Sequence, residues 1–258
     1  MKFVLSISLA AALILCIQVR AHPTAEDLSP DVRTIVEKAD ELYRSDASSA
    51  KIEMTIVTPN WERTLSMDVW TEGMERTFIV INSPAKEKGI ATLRIESEMW
   101  NYFPRINKVM KVPPSMMMGQ WMGSDFTNDD LVKESTLLDD YDGELFTPED
   151  ANPDYYYIKL MPKEITVTVW GKIELVVQKE TYLPVQQVYY DEKGNKMRIM
   201  DFKDVKDLGG KSIPSLLEMT PLGKEKEGHS TLIRYLEVNF DDELPRDTFT
   251  LRNLQKKR

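Results

Sequence analysis

The chain has 258 residues, one cysteine, two histidines and a formal net charge of −9. Such an acidic chain is a poor partner for nucleic acid or for anionic lipid surfaces, because like charges repel. With two histidines, the chain has few candidate residues for histidine-based catalysis or metal binding.

Residues 1–21 have the pattern of a secretory signal peptide. Lys2 precedes an apolar run over 3–19, and Ala21 is small enough for a cleavage site. The run is shorter than the roughly 20 residues that span a bilayer, so we predict cleavage near Ala21 rather than an uncleaved anchor. The single cysteine lies in this run, and cleavage would leave a chain without disulfides and with a charge of −11. These features favour a bacterial periplasm.

An amphipathic helix is predicted over about 30–44. Ser29 can cap it, and Pro30 suits its first position, where the missing N–H costs nothing. Apolar residues then recur at helical spacing, at Val32, Ile35, Val36, Ala39, Leu42 and Tyr43. One face of this helix is therefore expected to be buried.

From residue 51 the apolar period changes to two, which predicts β-strands. Six strands are expected before residue 113 and six more after residue 154, with Lys193-Gly194-Asn195 at a hairpin turn. Short connections imply an antiparallel meander. About twelve strands are too many for a flat sheet and favour a curled sheet or a barrel.

A long segment from about 113 to 154 interrupts the strands. It holds the stretch "SMMMGQWMGSDF" at 115–126 and then an acidic run. Thr127 and Asp130 have the spacing of a capping box, which predicts a short helix. Loops of this length are usually functional or mobile.

The sequence offers few groups for catalysis. It contains no GxSxG or HExxH motif, no Cys/His metal pattern and no Gly-rich phosphate loop, and His229 lies in a turn rich in Gly, Lys and Glu. Acidic clusters at 128–130 and 139–142 leave a glycosidase pair or a calcium site open, although a helix start or a solvated loop explains them more simply. We predict a protein that is not an enzyme and that uses no cofactor or metal.

The methionine-rich stretch allows three interpretations. Its cluster consists of Met116, Met117, Met118, Trp121 and Met122. Flexible methionines can fill a core, thioether sulfur suits Cu(I), and a soft apolar surface can repack over a ligand. The position in the long break of the sheet favours the third, a mobile lid hinged near Gly119 and Gly123.

Four stretches carry a resemblance to a known family: "RTLSMDVWTEG", "SPAKEKGIATLRI", "MWNYFPRINKVMKVPPSMM" and, most specifically, "WMGSDFTNDDL". They closely resemble the outer-membrane lipoprotein-sorting protein family, the periplasmic relatives of the LolA and LolB lipoprotein carriers. The resemblance runs from about residue 30 to the C-terminus, with "ETYLPVQQVYYDEKGNKMR" and "LPRDTF" matching less specifically.

The resemblance implies a mainly β (α+β) fold. A strongly curved antiparallel sheet forms an incomplete LolA-like β-barrel, and helices and a long loop cover an apolar cavity. Residues 22–258 are then a single LolA-like half-barrel domain with an insertion at about 113–154.

The resemblance also implies a function. The protein would be a periplasmic carrier that binds lipoprotein acyl chains or other lipids and moves them toward an outer-membrane acceptor, with an RND/MMPL-type inner-membrane exporter as partner. The alternative is an adaptor subunit of an exporter, without lipid cargo.

Candidate lipid-binding residues follow from the alternation and from the methionine cluster. On the strands they are Ile52, Met54, Ile56, Leu65, Met67, Val69, Phe78, Val80, Leu93 and Trp100. On the lid they are Met116, Met117, Met118, Trp121 and Met122. Alternation sorts residues onto two faces without identifying the concave one, so the choice of face is a hypothesis.

Overall fold

The structure, a computed structural model, describes residues 31–132 and 136–256. These residues lie in one compact unit. The predicted signal peptide, residues 1–21, lies outside the described residues. Within the described ranges, no helix combines the length and the apolar character needed to cross a bilayer.

Helices are few and short. They are α1 (Val32–Asp40), α2 (Asn128–Val132), α3 (Leu137–Asp140) and α4 (Leu251–Leu254). The predicted amphipathic helix is confirmed as α1, which buries Ile35, Val36 and Ala39 and continues into a 3-10 turn over Glu41–Tyr43. The N-cap residue is Asp31, so α1 begins at Val32, two residues after the predicted first position at Pro30.

The described residues form thirteen β-strands. They are β1 (Ala47–Val57), β2 (Glu62–Glu72), β3 (Arg76–Ser83), β4 (Ala91–Ile95), β5 (Glu98–Phe103), β6 (Lys108–Lys111), β7 (Tyr141–Leu145), β8 (Tyr155–Pro162), β9 (Lys172–Gln178), β10 (Pro184–Tyr190), β11 (Lys196–Leu208), β12 (Lys211–Pro221) and β13 (Ser230–Phe240). All twelve predicted strands are present. The hairpin between β10 and β11 is also confirmed, with Gly194 at φ +81° in its turn.

The sequence prediction missed β7, which lies inside the predicted insertion. Four of its five residues are exposed, so its sequence, "YDGEL", carries no apolar alternation. The count of about twelve strands is therefore corrected to thirteen.

The strands form one antiparallel sheet that is curved and does not close. Its order runs from β6 at one edge through β5, β4, β3, β2 and β1, then through β13, β12, β11, β10, β9 and β8 to β7 at the other edge. β1 and β13 pair in the middle, with Met54 opposite Ile233, and so join the two halves of the chain. The expected mainly β architecture, a curved antiparallel sheet that does not close, is confirmed.

One face of the sheet, called here the inner face, is covered by helices and by the segment between β6 and β7. On β8 and β9 it packs against α1, with Ile35 and Leu175 fully buried. On β1 and β2 it packs against the methionine-rich segment, where Met54 and Leu65 are buried. This coverage positions the candidate site.

The opposite, outer face is also apolar on β3, β4 and β5. Phe78, Leu93 and Tyr102 form a buried cluster there with Leu254 of α4, so the C-terminal segment covers this part of the sheet. The continuous apolar run "FIVI" of β3 reflects burial on both faces, because side chains on a strand point alternately to the two sides.

Candidate functional site

The segment between β6 and β7 joins the two opposite edges of the sheet. We call residues 112–140 the crossing segment; it carries the methionine cluster, α2 and α3. Because its ends lie at opposite edges, it has to pass across a face of the curved sheet. Trp121, Met117 and Leu131 of this segment pack into the buried cluster of β1 and β2 on the inner face. The crossing segment is therefore a cover over the inner face.

Trp121 is the centre of the cover. Its side chain is 4% exposed and lies among inner-face side chains such as Met54 and Met67. Its indole N–H donates to Thr92 Oγ1 of β4 over 3.3 Å. A buried indole that finds a hydrogen-bond partner is a well-anchored group, so the cover is fixed at this point by packing and by one polar contact.

Polar contacts also fasten the cover on the C-terminal side of Trp121. Arg63 of β2 donates to the backbone carbonyl of Met122. Asp125 and Thr231 of β13 exchange two hydrogen bonds of 2.9 Å, from the Asp125 N–H to Thr231 Oγ1 and from that hydroxyl to the Asp125 carboxylate. Each contact joins the cover to a different strand of the sheet.

The third fastening is an ion pair between Asp130 and Arg198 of β11. The guanidinium donates to both carboxylate oxygens, over 2.7 and 2.8 Å, and the Arg198 side chain is only 8% exposed. Its central carbon lies 4.5 Å from the ring centre of Trp170 and 4.4 Å from that of Tyr189. Planar guanidinium groups suit such paired and stacked positions better than lysine does.

Asp130 also starts α2. It accepts from the Thr127 N–H over 2.8 Å, and Thr127 Oγ1 accepts from the Asp130 N–H over 3.1 Å, so the predicted capping box is confirmed. Burial alone would raise the pKa of Asp130. The hydrogen bonds and charge of Arg198, together with the Thr127 bonds, outweigh burial and hold this pKa below its usual value of 3.8.

This depressed pKa predicts a loss of stability in acid. The Asp130 carboxylate stabilises the folded protein above its unfolded pKa, and that contribution disappears as the pH falls through the lower folded pKa. The difference in unfolding free energy between wild type and Asp130→Asn should be constant above about pH 5 and shrink below 3.8. Urea denaturation of both proteins across this range measures it, and a difference that stayed constant in acid would contradict the assignment.

The structure brings most of the predicted lining together. Cross-strand partners share a face, and the pairs Met54–Leu65 and Ile52–Met67 lie side by side on β1 and β2. Six predicted strand residues lie on the inner face: Ile52, Met54, Ile56, Leu65, Met67 and Val69.

Four predicted lining residues belong to the outer face instead: Phe78, Val80, Leu93 and Trp100. They pack with the C-terminal segment, away from the cover, so their assignment to the same lining is wrong. The inner positions on β3 and β5 are their neighbours Ile79, Ile81 and Met99. The pairing of β2 with β3 shifts register between Ser66 and Met67. The alternation of residues along a single strand does not reveal such a shift.

The predicted lid residues also divide. Met117, Trp121 and Met122 contact the inner-face cluster, whereas Met116 and Met118 are 59% and 49% exposed. The lid hinge at Gly119 and Gly123 stays a prediction. Gly123 has φ +76°, but Met122 before it has φ +51°, so the two residues form a turn in which Arg63 holds the Met122 carbonyl.

Two cavities adjoin the inner face. One of about 240 Å³ lies between the β5–β6 edge and the crossing segment. Its apolar lining consists of Phe103, Met110, Val112, Pro113, Met116, Trp121 and Met122. The other, of about 100 Å³, lies beside the stacked rings of Tyr43 and Tyr235, whose centres are 5.4 Å apart, and is lined by Ile52 and Val69.

Clefts of similar size lie away from the cover. Two clefts of about 230 and 260 Å³ flank Trp70 on the outer face. Across residues 31–132 and 136–256, no group of three or more His, Cys, Asp or Glu side chains is placed to hold a metal ion.

Sequence reasoning missed the residues that fasten the cover. Arg63, Asp125 and Arg198 are charged residues whose partners lie far away in the chain, 68 residues in the case of Asp130 and Arg198. The only signal for them was the capping-box spacing at Thr127, which located Asp130 but not its partner.

Solved structures share this fold. A DUF1329 family protein from Desulfovibrio piger has 22% identity and a TM-score of 0.75 over 86% of this chain and 96% of that one. A LolA superfamily protein from Nitrosomonas europaea has 21% identity and a TM-score of 0.71 over 87% and 100%. An outer membrane lipoprotein-sorting protein domain from Vibrio parahaemolyticus has 20% identity and a TM-score of 0.72 over 86% and 97%.

The comparison with curated proteins found no match. A protein-family model described as "Uncharacterized protein"-like matches residues 73–256, which is more than half of the chain. The chain therefore belongs to the family of this model and has the fold of the LolA superfamily and its outer-membrane lipoprotein-sorting proteins.

Proposed function

We propose that this protein is a periplasmic carrier that binds lipoprotein acyl chains or other lipids between the crossing segment and the inner face of the sheet. The observation that carries the proposal is a broad apolar sheet face under a methionine-rich cover held by a small number of polar contacts. The fold shared with LolA-superfamily and lipoprotein-sorting proteins supports it.

The energetics fit a reversible carrier. Each buried methylene of an acyl chain contributes roughly 0.8 kcal/mol, so an apolar surface can hold a chain without a charged clamp. The cavities of about 240 and 100 Å³ are smaller than the roughly 300–1,000 Å³ typical of ligand pockets. Cargo binding therefore requires the cover to move, and flexible methionines can repack around chains of different shape.

The transport step is part of the proposal. Cargo is received with the help of an RND/MMPL-type inner-membrane exporter and passed toward the outer membrane. The predicted signal peptide at 1–21 supplies the periplasmic location.

Native mass spectrometry of protein purified from its own periplasm tests the carrier function. Co-purifying lipid supports it, and protein that carries no lipid and binds no fluorescent fatty acid would refute it.

A second candidate is an adaptor subunit of an exporter that carries no lipid. The observation in its favour is that the inner face is filled by the protein's own side chains, since Met54, Leu65 and Met67 are at most 1% exposed. The same mass spectrometry separates the two, because an adaptor would be free of lipid while keeping its fold.

The cover offers a matched pair of variants for the binding site. Met117 contacts the inner-face cluster, whereas Met118 beside it is half exposed. Met117→Ser should weaken fatty-acid binding roughly tenfold, because the hydroxyl has no partner beside an acyl chain; this equals about 1.4 kcal/mol. Titration with a fluorescent fatty acid measures the affinity. Met118→Ser should bind like wild type, and equal losses in both variants would speak against a lining role for Met117.

A further inference from the structure

The connection between β8 and β9 presents apolar side chains to solvent. Ile165 is 88% exposed, Val167 is fully exposed at 102%, and Val169 is 45% exposed. Their neighbours Thr166, Thr168 and Trp170 are partly buried, so exposed and partly buried residues alternate from 165 to 170. We call residues 165–169 the exposed ridge.

The ridge is anchored on its buried side. Thr166 Oγ1 donates to the Asp140 carbonyl over 2.7 Å, and the hydroxyls of Thr168 and Tyr141 lie 3.1 Å apart. Trp170 packs against the α1 cluster, with its ring centre 5.2 Å from that of Tyr189. The three apolar side chains are therefore held outward by the body of the protein.

The ridge lacks the features that protect exposed strands. It contains no Lys, Pro or Gly, and the backbone N–H groups of Ile165, Val167 and Val169 donate no hydrogen bond to another described residue. Segments that combine β-branched side chains, no charge and unpaired backbone groups readily pair with another strand. The positive charge nearest in the sequence, on Lys163, is already bound to the carbonyls of Leu138 and Asp139.

The pattern of the ridge is complementary to itself. If two copies run antiparallel about Val167, that residue faces its counterpart, Ile165 faces Val169, and Thr166 faces Thr168. All exposed apolar side chains then meet on one face, as cross-strand pairs do in a sheet. A shift of two residues would place Val169 opposite Lys163. An anionic membrane is a poorer partner, because the exposed carboxylates of Glu164 and Asp139 lie beside the ridge.

We propose that the exposed ridge is a dimerisation site, at which two copies of this chain pair antiparallel about Val167 in a two-fold interface. In such an interface the same surface of each copy contacts its counterpart. Strand pairing supplies backbone hydrogen bonds, and the alternate side chains set the register. This inference is independent of any lipid cargo.

Single-cysteine crosslinking tests the proposal. In a full chain carrying Cys16→Ser, Val167→Cys introduces the sole thiol, because the sequence has one cysteine. Mild oxidation should give a covalent dimer at least roughly tenfold faster than Val205→Cys, an exposed position on β11, because pairing raises the local thiol concentration. Ile165→Cys alone should crosslink poorly, and a mixture of Ile165→Cys with Val169→Cys should crosslink well.

Sedimentation equilibrium provides the second measurement. Wild type should show a concentration-dependent dimer, and Val167→Lys should shift it to monomer, because two ammonium groups would face each other. A wild-type monomer at every concentration, with Val167→Cys no faster than Val205→Cys, overturns the proposal. Preferential self-crosslinking of Ile165→Cys would overturn the register about Val167.

Discussion

Replacing Arg198 with methionine should lower the free energy of unfolding by about 3–5 kcal/mol. The change leaves the Asp130 carboxylate without its bidentate partner at a largely buried site and removes the guanidinium from between Trp170 and Tyr189. Urea denaturation followed by circular dichroism measures the loss. Hydrogen exchange should show the earliest loss of protection in the crossing segment, because Asp130 is its link to β11.

Two variants separate the ion pair from a general effect of the substitution. Asp130→Asn combined with Arg198→Met should recover much of the lost stability, because it removes the unpaired buried charge. Lys203→Met removes another cation of β11, whose 2.7 Å pair with Glu218 is exposed, and should cost under about 1 kcal/mol. If Arg198→Met costs no more than Lys203→Met, the cover is not fastened by this pair.

The sheet could be predicted because burial leaves a periodic trace in the sequence. Strands with one buried face, such as β1, alternate clearly and were placed correctly. β7 is an exposed edge strand, so nothing in "YDGEL" recorded its pairing with β8. On β3 both faces are buried, and the run "FIVI" predicted a strand but gave no basis for choosing Ile79 over Phe78 as the inner residue.

The contacts that fasten the cover could not be predicted, because they depend on which strands become neighbours in space. Arg198 is a charged residue of a strand, and a solvent-exposed side chain is the usual outcome for such a residue. Its burial requires the crossing segment to span the sheet from β6 to β7, which is a property of the strand order. The resemblance to carriers predicted that a loop covers the sheet. The contacts that hold this loop were visible only in the structure.

The cover and the inner face together form an interior that is occupied by the protein's own side chains. A carrier with such an interior binds cargo only in the fraction of molecules whose cover is open, so its apparent dissociation constant is divided by that fraction. Weakening the closed state without removing a side chain that contacts the cargo should therefore strengthen the apparent binding of cargo. In an adaptor without cargo the same change would affect stability alone.

Trp121→Ala should separate these two functions. Removing a side chain that is 4% exposed should lower the free energy of unfolding by about 3–5 kcal/mol. In a carrier it should also tighten the binding of a fluorescent fatty acid, because the indole no longer fills the space between the cover and Met54.

Trp121→Phe is the control variant, because it keeps most of the ring volume and loses the 3.3 Å bond to Thr92. It should lower the free energy of unfolding by about 1–2 kcal/mol and give a smaller gain in affinity. Denaturation and fatty-acid titration on the three proteins rank the effects. Weaker binding by the alanine variant would mean that the indole contacts cargo rather than excludes it, and absence of binding in all three would favour the adaptor.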